Sequence, residues 1–193
     1  MGRVTGPQGG VMTSIDLSIL GILVLFAFSG FHAGIMNKFF SITGIVLALV
    51  LAVKYLGAAA NIVVFLTAIR DGGGRSPMTY AVGFLAIFLI VVVAVKVVYF
   101  MITRERRDHS RFQRVSGSVA GFFEGGLFIS VLLVWLNVIG FPTEYQKQQS
   151  LLYKPAIHIA PVLFDEITYG LPRSRSFYDE ISKHFDVERV QKR

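Results

Sequence analysis

The chain contains no cysteine, which removes disulfides, thiolate metal sites and cysteine nucleophiles together and leaves the redox compartment unmarked. Histidine is scarce: His32, His109, His158 and His184 are scattered with no HExxH or other paired spacing, so no metal site is expected. Charge is thin as well. Charged residues fill 16% of 193 positions, against about 25% in a soluble domain, while 53% are apolar and the mean hydropathy is +0.61. Asp108-His109-Ser110 is contiguous, and adjacency does not orient a catalytic triad, so it reads as a solvated turn. Gly72-Gly73-Gly74 lacks the Lys-Ser/Thr that completes a phosphate loop and reads as a hinge. No enzyme chemistry and no cofactor is expected.

What the chain does have is long apolar runs. Leu17–Val53 holds one charged residue, Lys38; Ser76–Thr103 holds Lys96; Val115–Thr143 holds Glu124. A bilayer core needs ~20 mostly apolar residues, and helices and closed barrels satisfy backbone polar groups in lipid. Continuous runs, rather than short alternating segments, select helices. The expected fold is all-α: an integral membrane protein with four transmembrane helices near 15–35, 39–56, 78–102 and 117–141, plus a C-terminal amphipathic or interfacial tail. The organisation is then a flexible segment 1–14, a four-helix transmembrane domain 15–141, and the tail 142–193. Residues 57–69 are too short to cross, and Ile62, Phe65, Leu66 and Ile69 predict a short helix continuing or kinking from Gly57. In the tail, Pro155 and Pro161 read as breaks that forbid a regular helix, leaving a kinked segment on the membrane or the bundle.

The net charge is +7, and its densest part is the loop with Arg104, Arg106, Arg107, Arg111 and Arg114. Such a cluster predicts a cytoplasmic 3–4 loop with outward termini, and Lys38 falls on the same side in the 1–2 loop. With only Phe112 nearby, the arginines lack the interleaved aromatics of a nucleic-acid groove, so the expected partner is the lipid bilayer and not nucleic acid. Asp16, Lys54, Lys96 and Glu124 lie inside or at the edge of spans, where a charge costs ~2.5–3.5 kcal/mol. Lys96 and Glu124 are each fourteen residues from Ser110, and Asp16 and Lys54 each nineteen from Ile35. Antiparallel hairpins would bring each pair to equal depth. Three readings remain open: pairs that lock hairpins, lysines that snorkel, or a polar cavity that relays ions. Small residues recur every four positions at Gly30 and Gly34, at Gly44, Ala48 and Ala52, and at Gly117, Gly121 and Gly125. These faces let helix backbones approach, within the chain or between copies.

Ile15-Asp16-Leu17 opening the first span, Gly30-xxx-Gly34, Ala58-Ala59-Ala60, and the segment Arg114 to Gly125 with its Gly-xxx-Gly-xxx-Gly start together resemble the colicin V production (CvpA) family. Ser150, opening the apolar tail segment with Pro155, is similar too. The family often carries a basic residue where this chain has Glu124, so no role of that positive charge transfers. The resemblance implies a four-span bacterial inner-membrane protein linked to toxin production or export and to envelope homeostasis, with no established reaction. The leading expectation is a non-enzymatic protein acting through a second copy or other membrane proteins. The alternatives are a small oligomeric channel or transporter, and an accessory subunit of a larger membrane complex.

Overall fold

Thr13 opens the first helix with a capping box: its hydroxyl accepts from the Asp16 N–H, and the Asp16 carboxylate accepts from the Thr13 N–H. This satisfies two of the donors that a helix N-terminus leaves orphaned. The computed structural model describes residues 12–71, 77–102, 110–138, 140–169, 176–179 and 181. Among them every regular element is a helix: α1 (Ser14–Lys54), α2 (Leu56–Asp71), α3 (Pro77–Ile102), α4 (Arg111–Val138), α5 (Glu144–Gln149) and α6 (Tyr153–Thr168). Three of these are long and apolar enough to cross a membrane: Ser14–Lys54, Met78–Ile102 and Arg111–Asn137.

Helix α1 is one element only by count. Gly34 has φ 75° and ψ 164°, a conformation that residues with a Cβ avoid. There the chain turns back, with no polar loop. The first arm, residues 14–33, runs antiparallel to α4: Gly34 and Gly30 meet Gly117, Phe26 meets Gly121 and Gly125, and Ile19 packs with Ile129 and Leu133. The second arm, residues 35–54, runs the same way as α4, from Ser41 beside Glu124 to Val53 in one cluster with Val131 and Trp135. Each arm of about 20 residues is ~30 Å long.

Helix α3 packs along the second arm rather than along α4: the Phe40 and Tyr99 rings meet at a tilt with centroids 5.2 Å apart, and Gly44 lies under Val95. At the far end Leu56 meets Tyr80 and Phe84, and the Trp135 indole donates to the Ala81 carbonyl at 3.0 Å. Helix α2 follows Tyr55 and lies against α3, with Ala59 and Ala60 on Gly83. The short continuation from residue 57 therefore exists as α2.

The tail differs from the expectation of a proline-broken segment. Helix α6 runs through both prolines. Pro155 sits in its first turn, where no N–H is needed. Pro161 deprives the Ile157 carbonyl of its helical donor, and α4 supplies one. The Ser130 hydroxyl, fully buried, donates to Ile157 O at 3.0 Å and accepts from Ala160 N–H at 2.8 Å. Tyr153, Ala156, Ala160, Phe164 and Thr168 form the buried stripe of α6, a helical spacing. Phe177 returns onto it, fully buried 5.5 Å from Phe164, with its N–H on Asp165. Helix α6 thus lies across α4 at the end of the bundle where α1 begins and the second arm ends.

Candidate functional site

The buried polar centre of the bundle is made by the turn at Gly34. It brings Phe26 and Ser29 of the first arm against Lys38 and Ser41 of the second, with Glu124 of α4 between the arms. Lys38 Nζ lies 2.6 Å from Glu124 Oε2 and donates to Ser29 Oγ at 3.1 Å. Its ammonium also stands 5.6 Å from the Phe26 ring centroid, within cation–π range. Ser41 Oγ donates to Glu124 Oε1. Lys38 is 5% exposed and Glu124 3%. Taking two charges out of water is tolerable only when each is paired and its remaining valences are used. Both carboxylate oxygens are used, Oε2 by Lys38 and Oε1 by Ser41, so the pair holds the second arm to α4.

A second polar centre ties the start of α1 to the segment that leads into α6. Asp16, 1% exposed, accepts at Oδ2 from Thr13 N–H (3.0 Å) and Thr13 Oγ1 (2.8 Å). At Oδ1 it accepts from Ser150 Oγ (2.5 Å) and Leu152 N–H (2.9 Å). Ser150 Oγ in turn accepts from Tyr153 N–H at 3.0 Å. One carboxylate therefore caps α1 and, through Ser150, the start of α6. The Tyr153 hydroxyl is buried with no hydrogen-bond partner among the described residues. Burial pushes the phenols of Tyr153 and Tyr178 above the usual tyrosine range. No group of three or more His, Asp or Glu among the described residues could hold a metal ion.

Both charge pairings expected from depth are replaced. Glu124 pairs with Lys38, and Lys96 is exposed on α3. Depth arithmetic cannot say which helix is the neighbour, and the second arm lies between α3 and α4. Asp16 binds the tail rather than Lys54, which is also exposed. Lys38 is no loop residue, because the turn is the single Gly34. Gly30, Gly34, Gly117, Gly121 and Gly125 come together within one chain: a Cβ on Gly30 would collide with the Gly117 carbonyl, and one on Gly121 with that of Phe26. Of the arginine cluster, Arg111 and Arg114 are exposed at the start of α4, and Arg104, Arg106 and Arg107 lie outside the described residues. Lys38, Ser41 and Ser130 belong to no motif that marks them in the sequence as site residues. The one signal for them is Lys38's isolation within thirty-seven otherwise uncharged positions, Leu17–Val53.

The family model described as Colicin V production protein matches residues 15–161. No curated protein and no solved structure matches the chain.

Proposed function

Because the chain belongs to the colicin V production protein family, whose model covers more than half of it, we propose that it is a non-enzymatic, multi-pass inner-membrane protein serving toxin production or export, or envelope homeostasis. It does so by associating in the bilayer with other membrane proteins or a second copy. Two arms of α1 together with α3 and α4 support four crossings, since each is long enough for the ~30 Å hydrocarbon layer.

The observation that carries the reading is internal compensation of buried charge. Glu124 is answered by Lys38 and Ser41, and Asp16 by Thr13, Ser150 and the Leu152 amide. That leaves an exterior of exposed apolar side chains such as Phe28, Phe39, Ile90, Phe100 and Phe123 as the surface through which the protein acts. Affinity isolation from gently solubilised membranes is expected to recover a defined membrane-protein partner or a homo-oligomer. Ion flux into proteoliposomes that disappears in Glu124→Gln would overturn the reading and favour a channel.

A further inference from the structure

Between the second arm, α4 and α6 lies a groove of about 870 Å³, within the ~300–1,000 Å³ span of small-molecule sites. One wall is apolar: Ile42 and Val46 on the second arm, and Phe122 and Phe123 on α4. Its polar lining comes from one side only, His158 and Glu166 of α6. Lys154, His158, Val162 and Glu166 follow at four-residue spacing and are all exposed, so they form a single stripe along the outer face of α6. Among the described residues Glu166 has no ion-pair partner.

Helix α6 crosses the bundle at the end where α1 starts at Thr13 and the second arm finishes at Lys54, which is the membrane surface for a spanning chain. Phe122 and Phe123 lie seven and eight residues before Ser130, the α4 residue that α6 crosses, and so stand ~10–12 Å further along α4 from that end. The groove is therefore apolar toward the hydrocarbon and polar toward the headgroups. This polarity gradient matches an amphiphile and opposes a uniformly apolar helix.

We propose that this groove is a phospholipid site selective for a headgroup bearing a primary ammonium beside its phosphate. The acyl chains lie along Ile42, Val46, Phe122 and Phe123. The ammonium is taken by the Glu166 carboxylate, and His158, with Lys154 one turn before it, faces the phosphate. A purely anionic headgroup would meet Glu166 unfavourably, and a quaternary ammonium would offer it no N–H. The inference needs the chain to be membrane-embedded and is independent of its part in toxin production or envelope homeostasis.

The test uses the full chain, purified in detergent and delipidated, with native mass spectrometry after adding phosphatidylethanolamine, phosphatidylglycerol or phosphatidylcholine of identical chains. One phosphatidylethanolamine is expected to be retained in preference to the other two. Glu166→Gln is expected to lower that retention about three- to fivefold, the scale of one partly exposed charge contact, while leaving phosphatidylcholine unchanged. Gly126→Phe provides a second arm. A Cβ there meets only Ile159 Cδ1 at 3.6 Å, so the backbone tolerates it, and the ring enters the groove and expels all three lipids. Unchanged helicity and thermal midpoint certify the fold of both variants. Equal retention of the three lipids, or no effect of Glu166→Gln, overturns the proposal. So does a dimer mass abolished by Gly126→Phe, which would assign the groove to a second copy.

Discussion

Asp16→Asn is the sharpest perturbation of the tail attachment, because it keeps shape and removes only charge and one acceptor. Each carboxylate oxygen receives one backbone N–H, Thr13 on Oδ2 and Leu152 on Oδ1. A backbone N–H cannot reverse into an acceptor. Whichever way the Asn amide turns, its NH2 confronts a buried donor. One backbone N–H loses its charged acceptor, at about 1.5–3 kcal/mol, and the bonds that remain lose their charge, so the junction of α6 with α1 weakens by up to about 3 kcal/mol. Ser150→Ala removes one such bond and also strands the Tyr153 N–H that the hydroxyl accepts, so it weakens docking by a comparable amount. Hydrogen exchange reads this directly: 3 kcal/mol of local opening speeds the α6 amides on the order of a hundredfold. The α4 amides facing Gly30 and Gly34 should keep their protection, since that contact is independent of the tail. Unchanged α6 protection in Asp16→Asn would refute the argument, and so would equal loosening of α4.

Gly30→Ala drives a methyl into the Gly117 carbonyl and should cost the upper end of about 1–3 kcal/mol of stability or beyond, read as a lower thermal midpoint. Gly21→Ala, with nothing within 4 Å, should instead stabilise by about 0.5–1 kcal/mol in the same melt. Lys38→Met and Glu124→Gln should each cost about 3–5 kcal/mol by stranding the other charge. Their double variant should lose far less than the sum in chemical denaturation, and Lys96→Met should stay within about 0.5 kcal/mol. Tyr153→Phe deletes a buried, unpartnered hydroxyl and should stabilise by about 1 kcal/mol. Its sign with pH follows from a phenol pKa raised by burial. The wild type keeps this stability below the ordinary tyrosine pKa and loses it as pH rises through the raised one. Thermal melts across the alkaline range should show that loss diminished in Tyr153→Phe.

Helix type and approximate helix ends are legible in the chain because lipid permits little else: uncharged runs of twenty-odd residues must be helical. The turn near Ile35 is legible for a related reason, since a run of Leu17–Val53 is about twice the bilayer thickness. The partners of the charges are not. Equal distance from a turn sets depth, but the neighbour is decided by which helix face is narrow enough for close approach. Glycines pull the first arm onto α4 and leave the second arm between α4 and α3. Lys38 reads as a loop charge because a cation midway between two apolar runs looks like a boundary. With a one-residue turn it sits a full helical turn inside the second arm. Pro161 reads as a break because Pro rules treat a helix in isolation, and the hydroxyl that repairs it is thirty-one residues earlier, on Ser130. Asp16 and Ser150 are each legible separately, but nothing local joins positions 134 apart.

The two kinds of contact in the bundle answer different problems. Between helices in lipid there is no hydrophobic force to exploit, so the first arm and α4 hold together by backbone approach across Gly30, Gly34, Gly117 and Gly121. That device has a defect. Gly30 and Gly34 repeat every four residues, as do Gly117, Gly121 and Gly125, so a slip of four positions again sets glycine against glycine. A slip of that size moves α4 by ~6 Å along its axis, which carries Glu124 away from both Lys38 and Ser41. Two charges left unpaired in a low-dielectric interior would cost about 3–5 kcal/mol or more, far above what the glycine faces could distinguish between registers. The ion pair therefore selects the one register that the repeat leaves degenerate. Attachment of α6 follows the same division: an apolar stripe supplies the area, and Asp16 and Ser130 fix where along α4 it sits.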